Sequence, residues 1–203
     1  MAVKVFSERQ IRSQIIRQKI RDAARSLVQQ KGYEGVTIDE ICAEVGVTKG
    51  TFYNYFNSKV QLILDDIALD NLYYRNKLRS QVSKLQPGLA KLITFLRLAM
   101  AFENGKDVEF ARLSYRLRIA NPKKTFPLYP DKREFYKIIE ELIIEGQSCG
   151  EIRQDLSSSQ LATSVLYSVR GMVYSWCLPD TDFNLEEISE DLFGVLQEGL
   201  RKR

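Results

Sequence analysis

Apolar positions recur every three to four residues along most of this chain, and no stretch alternates strictly for longer than a few residues. That spacing predicts helices throughout. The first helix is expected from Ser7 to Gln30, with Ile16, Ile20, Ala23, Ala24 and Leu27 as its buried stripe and arginines on the opposite face. Gly32 suits its C-terminus, because glycine takes a left-handed backbone freely. A second helix opens at Thr37, with Glu40 three residues later completing a capping box. Ile38, Ile41, Cys42 and Val45 mark its apolar face, and Gly46 ends it. Val47 is expected to plug the turn, and Thr48 caps a third helix running to about Phe56. Phe52 and Phe56 lie four apart and share an anchoring face, which leaves Lys49, Thr51, Tyr53 and Tyr55 for the outside.

Downstream, Ser58 with Gln61 opens a fourth helix, long enough to reach the 78–84 region before Pro87. Further helices are expected at 87–103, 107–120, 131–146, 157–178 and 184–200, about nine segments in all. Between the sixth and seventh lies the proline-rich loop PKKTFPLYP. The eighth segment is apolar around much of its circumference, so it must be buried on more than one side. A second subunit is the expected second cover, through Leu161, Val165, Val169 and Val173, with Leu192 and Leu196 of the last helix.

Two short helices joined by a tight glycine turn, with a third helix starting at once, form the layout that inserts one helix into the DNA major groove. The charge distribution fits. Net charge is +4 overall, and residues 1–59 hold 10 Lys/Arg against 6 Asp/Glu. The remaining chain is therefore neutral, and all the surplus positive charge sits on the segment with the turn. Lys59 stands in the first turn of the fourth helix, against the helix dipole; a nearby phosphate would account for it. Lys4, Arg9 and Arg12 are candidates to reach DNA from an N-terminal arm, weighed against an ordinary solvated charged face.

Composition removes other chemistries. The chain has no histidine, so histidine triads, metal sites and general acid–base catalysis are excluded. Three cysteines, Cys42, Cys149 and Cys177, are too few and too scattered for a disulfide framework or a zinc site. No glycine-rich phosphate loop or nucleophile–base spacing is present, so neither an enzyme nor a cofactor is expected. No apolar run approaches the roughly 20 residues that span a bilayer, and the N-terminus carries no hydrophobic leader; the expected location is the cytoplasm.

The stretch from about Ile20 to Leu62 resembles the TetR/AcrR family of transcriptional regulators. The resemblance is carried by Ala23-Ala24, the Gly32-to-Thr37 spacing, and Ile41–Ala43 followed by Val45-Gly46-Val47-Thr48-Lys49-Gly50. Tyr53-x-Tyr55-Phe56 and Lys59-x-x-Leu62 complete it. Tyr55 departs from the histidine many members carry, and its hydroxyl can serve the same phosphate. The resemblance implies an all-α protein with a three-helix DNA-binding domain at 1–57. A long helix would join it to a ligand-binding and dimerisation domain at 58–203. It implies a homodimer on a palindromic double-stranded operator, released by a small-molecule effector. Thr37 and Lys59 would touch phosphates, Thr48, Lys49 and Thr51 bases or adjacent phosphates, Tyr53 and Tyr55 the sugar–phosphate edge, and Gly50 would allow close approach. Phe95, Phe102, Arg112, Tyr115, Arg116, Tyr167, Arg170, Tyr174 and Trp176 are the candidates to line an effector site. The competing reading is an all-helical small-molecule or lipid carrier, or a protein-interaction module, in which the turn is merely structural; neither needs the net charge concentrated on residues 1–59.

Overall fold

A computed structural model describes residues 7–106, 108–120, 134–178 and 184–202. The chain forms two compact units, Met1–Asp66 and Ile67–Arg203. Among the described residues every regular element is helical, and the only β pairing is an isolated antiparallel bridge between Ile152 and Arg201.

In the first unit, α1 (Glu8–Lys31) starts at Ser7, whose hydroxyl and Gln10 exchange the two bonds of a capping box. It ends at Gly32, with φ of 71°. Helices α2 (Ile38–Val45) and α3 (Lys49–Tyr55) follow. Their core is Ile20, Ala24, Leu27, Val28, Val36, Ile41, Cys42, Phe52, Phe56 and Leu62, all closed to solvent. Leu62 belongs to α4 (Lys59–Tyr73). The boundary between units therefore falls inside α4, not ahead of it at 57/58, because the first turns of α4 supply a core side chain to the N-terminal unit. The arginines of α1 do not all stand on its outer face. Arg21 is buried, and it and Arg17 both pair with Asp65 of α4.

In the second unit the helical path of α4 continues through a π-helical turn at Tyr74–Leu78 into α5 (Arg79–Val82). This was expected as one uninterrupted helix. Then come α6 (Leu89–Asn104), α7 (Val108–Ala120), α8 (Glu134–Ser148), α9 (Ser158–Trp176) and α10 (Leu185–Leu200). The expected start of the α8 segment at Asp131 and the PKKTFPLYP loop lie outside the described residues. Helix α6 is the hub: Leu92, Ile93, Phe95, Leu96, Ala99 and Met100 are buried against α8 and α10. Its N-terminus is capped from a distance, Leu89 N–H donating to Glu151 at 2.9 Å.

The bridge closes the same end, with Arg153 N–H donating to Leu200 O and Lys202 N–H to Glu151 O, each at 2.9 Å. All three cysteines are free, with Cys42 and Cys177 buried and Cys149 exposed. No described helix is long and apolar enough to cross a membrane.

Helix α9 corrects the sequence reading of its own faces. Leu161, Val165, Val169 and Val173 are at most 7 % exposed within a single chain, packed against α8 and α10. They are core residues, not a surface for a second subunit. Leu192 and Leu196 of α10 are half-buried against the same core. The side of α9 left open carries Ser164, Tyr167, Gly171 and Tyr174. A helix apolar on most of its circumference does not reveal by periodicity which side faces inward.

Candidate nucleic-acid interface

The α2–α3 pair is built by local chemistry at each end. Thr37 Oγ1 accepts from Glu40 N–H at 3.2 Å, and Glu40 accepts from Thr37 N–H at 2.8 Å, so the capping box is complete. Gly46 takes φ 73°, ψ 39°. Its N–H donates to Ala43 O at 3.2 Å, and Val47 N–H donates to Cys42 O at 2.9 Å. These two bonds are a Schellman stop, and the left-handed residue they require is glycine. Thr48 then caps α3, its hydroxyl accepting from Thr51 N–H at 3.2 Å. Because α2 stops and α3 starts within three residues, the two helices are held at a fixed angle.

Helix α3 sorts its side chains by face. Phe52 and Phe56 are buried with ring centroids 5.7 Å apart. Tyr53 leans its edge on Phe52 at 5.5 Å yet stays half exposed, and Tyr55 and Thr51 are half-buried. Thr48, Lys49 and Gly50 stand in solvent. A Cβ added to Gly50 would meet only Thr48 Oγ1, at 3.7 Å. Nothing inside the protein demands a glycine there.

The electrostatics are equally specific. Lys49 Nζ lies 2.9 Å from Asp39 on α2, and that hydrogen-bonded pairing raises the lysine's pKa. Glu40 is drawn down to about 2, first by its bond from Lys31, then by the Thr37 backbone and hydroxyl. Arg9 and Arg12 are exposed on α1, whereas Lys4 lies outside the described residues.

Lys59 also has partners within the protein. Its Nζ donates to Tyr33 O at 2.6 Å and to Val36 O at 2.7 Å, and it sits 4.1 Å above the Tyr33 ring. The turn between α1 and α2 thus holds the lysine at this helix N-terminus from within the protein. Ser58 caps α4 through Gln61 N–H at 3.1 Å. Gln61 reaches back to Asn57 N–H instead of Ser58, so the expected capping box is only half formed.

The effector candidates in the second unit fall into different places. Phe95 is fully buried, its ring 5.5 Å from Phe135. Phe102 stacks on Tyr73 at 3.9 Å and meets Tyr74 edge-on at 5.8 Å. Tyr73, Tyr74 and Phe135 were not singled out from sequence, although the adjacent tyrosines late in a long helix were a signal. Arg112 donates to the carbonyls of Cys177 at 2.7 Å and Leu178 at 3.0 Å, where a cation complements a helix C-terminus. Tyr115 packs edge-on against Tyr174, with centroids 5.9 Å apart. Trp176 is buried and Arg170 half-buried, whereas Arg116 and Tyr167 are exposed. Among the described residues no group of three or more acidic, cysteine or histidine side chains is arranged to hold a metal ion.

A Schellman-stopped helix followed by a capped, outward-facing one defines a helix-turn-helix protein with a separate helical body. Residues 20–65 match the family model described as bacterial regulatory proteins, tetR family, and residues 115–199 match that of the YsiA-like protein, C-terminal region. The chain belongs to the TetR family, and with it to the ligand-responsive, DNA-binding transcriptional regulators.

It is 19% identical to the fatty acid metabolism regulator protein of Bacillus subtilis (strain 168), over 91% of this chain and 95% of the relative. It is 25% identical to the HTH-type transcriptional repressor DhaR of Mycobacterium sp. (strain GP1), over 78% and 80%. The crystal structure of the Bacillus subtilis regulator FadR in complex with stearoyl-CoA superposes with a TM-score of 0.70 at 18% identity, covering 91% of this chain and 99% of that one. At that identity the likeness is one of fold.

Proposed function

We propose that this protein is a homodimeric repressor that reads a palindromic operator through α3 and leaves it on binding a fatty-acyl thioester in its helical body. The observation that carries the DNA-reading part is the division of α3: Phe52 and Phe56 anchor it while Thr48, Lys49, Gly50 and Tyr53 remain outside. Thr48, Lys49 and Thr51 address bases or adjacent phosphates, Tyr53 and Tyr55 the sugar–phosphate edge, and Thr37 a phosphate at the N-terminus of α2. Gly50 admits the backbone of α3 close to the duplex.

The dimer reading now rests on the open side of α9 and α10 in place of the buried one. Tyr167 and Tyr174 on α9 and Ile188 and Val195 on α10 are large apolar side chains between 37% and 71% exposed. Gly171, Gly194 and Gly199 on the same two helices would each accept a Cβ without meeting anything within 4 Å. Small residues among exposed apolar ones let a second copy approach closely.

The acyl thioester is supported by the stearoyl-CoA complex of the Bacillus subtilis regulator, which shares this fold. Phe95, Phe102 and Phe135 make the interior beside α6 apolar and aromatic.

The test is selection of bound sequences from a random duplex library, then titration of the complex with stearoyl-CoA. A palindrome with half-sites about one helical turn apart, released by the thioester but not by free coenzyme A, is the expected result. No enriched sequence would overturn the operator reading. A selected palindrome indifferent to acyl thioesters would overturn the effector class alone.

A further inference from the structure

Asp39 and Lys49 form an ion pair between the two helices of the reading head. Nζ of Lys49, at the start of α3, lies 2.9 Å from Oδ1 of Asp39 in the first turn of α2. Both groups stand in solvent, the lysine side chain 58% and the aspartate side chain 67% exposed. Lys49 is flanked by Thr48 and Gly50, on the part of α3 that Phe52 and Phe56 leave facing outward.

An acid in the first turn of a helix is favoured by the dipole, but Glu40 already fills that part in α2. It closes the capping box with Thr37 and accepts the bond from Lys31. Asp39 is instead a carboxylate on the face offered to a polyanion. Such a charge weakens contact with every duplex except where a donor meets it, which is how an interface gains selectivity by repulsion.

In the major groove cytosine offers an N4 amino donor, and guanine the acceptors O6 and N7. N4 and O6 of one C·G pair are joined by an N–H···O bond, which closes at about 2.9 Å. The ammonium nitrogen and carboxylate oxygen are 2.9 Å apart. They can therefore meet the two bases of one pair together and keep their own bond, closing a ring of alternating donors and acceptors. An A·T pair also sets a donor beside an acceptor. There, however, adenine N7 faces the carboxylate, and thymine gives the lysine one acceptor instead of two. Reversing either pair sets the carboxylate against an acceptor.

We propose that Asp39 is a specificity-determining residue of the reading head, an inference that rests on the DNA-reading function above. With Lys49 it selects a C·G pair in each half-site, the carboxylate accepting from cytosine N4 and the ammonium donating to guanine O6 and N7. Lys49 alone is a point charge on a flexible stem and takes any acceptor within reach. Asp39 holds it in place and adds the demand for a donor.

The wild-type protein, Asp39→Ala and Glu44→Ala are each taken through the selection from random duplexes. Glu44 is exposed on the same helix, so its variant carries the same change in charge. The wild-type half-site is expected to hold one C·G pair that Asp39→Ala no longer requires, while the other positions keep their preference. On the selected operator, reversing that pair in both half-sites should weaken wild-type binding about tenfold or more, and Asp39→Ala binding about threefold or less. Glu44→Ala should discriminate as the wild type does.

Asp39→Asn has nearly the same shape and serves if the alanine variant does not fold. Its amide accepts from N6 and donates to N7 of adenine, so the preference at that pair should move from C·G to A·T. A change in melting temperature with every base preference intact makes Asp39 a helix-dipole acid and overturns the proposal. Equal tightening on all duplexes in Asp39→Ala and Glu44→Ala, again with base preferences intact, makes it a general charge and overturns it too. A wild-type protein that enriches no sequence overturns the DNA-reading function itself, and the role of Asp39 with it, before any variant is compared.

Discussion

Arg21 of α1 donates from Nη1 to Oδ2 of Asp65 on α4 at 2.7 Å, and its side chain is only 9% exposed. Arg17 shares the same carboxylate through Nε at 3.0 Å and lies over the Phe56 ring at 5.3 Å. One largely shielded carboxylate therefore holds two guanidinium groups, and the first turns of α4 are tied by charge to α1.

Asp65→Ala should leave Arg21 buried and unpaired. Removing one partner of a buried ion pair costs about 3–5 kcal/mol; with Arg17 partly open to water, about 3 kcal/mol is expected here. Denaturant unfolding of the full chain measures it. A loss within about 0.5 kcal/mol, the range of ordinary surface substitutions, would contradict the assignment.

Gly146 of α8 lies against Ile152, so closely that an added Cβ would strike Cδ1 and Cγ1 of that side chain. Gly146 O also accepts from Ile152 N–H at 3.0 Å. Overpacking of this kind costs about 1–3 kcal/mol. Gly146→Ala is expected to lower the melting temperature, and adding Ile152→Val, which deletes the offending methyl, should restore part of it. A double mutant no better than the single one would place the strain elsewhere.

The two sides of α9 make opposite predictions. Val169→Asn puts an amide where the side chain is 2% exposed. It should cost about 1–3 kcal/mol of stability. Val195→Glu alters a residue 71% exposed. It should leave the melting transition of the protomer nearly intact while shifting sedimentation from dimer to monomer at low micromolar concentration. A Val195→Glu protein that remains dimeric would move the interface off this face.

Glu40 contributes to the acid behaviour of the reading head. Its pKa lies at about 2 in the fold, below its ordinary 4.5, through the bonds from Lys31 and Thr37. A depressed carboxylate contributes stability that is full above its unfolded pKa and is lost as pH falls through the folded one. The contribution therefore fades between about 4.5 and 2 and is constant at neutral pH. Carbon-detected NMR titration of the Glu40 carboxyl should give a midpoint near 2, and the Thr37 cap should open with it. A midpoint above 4 would mean the Lys31 and Thr37 bonds are not held in solution.

The reading head was largely legible in the sequence because its determinants are local. Caps at Thr37 and Thr48, the left-handed stop at Gly46 and the Phe52/Phe56 pair each act within four residues, so spacing alone reveals them. Among the described residues the nine helical segments followed for the same reason, with the π turn at Tyr74–Leu78 an interruption that period did not disclose.

What the sequence determined by itself was helix register, helix ends and the outward set on α3, since these follow from interactions between near neighbours. Tertiary structure alone decided which side of α9 is core, that Lys59 turns back to Tyr33 and Val36, that Asp65 gathers Arg17 and Arg21, and that the first unit ends inside α4. Each of those depends on groups more than twenty residues apart or on which of two apolar faces finds a partner, and periodicity carries no record of either.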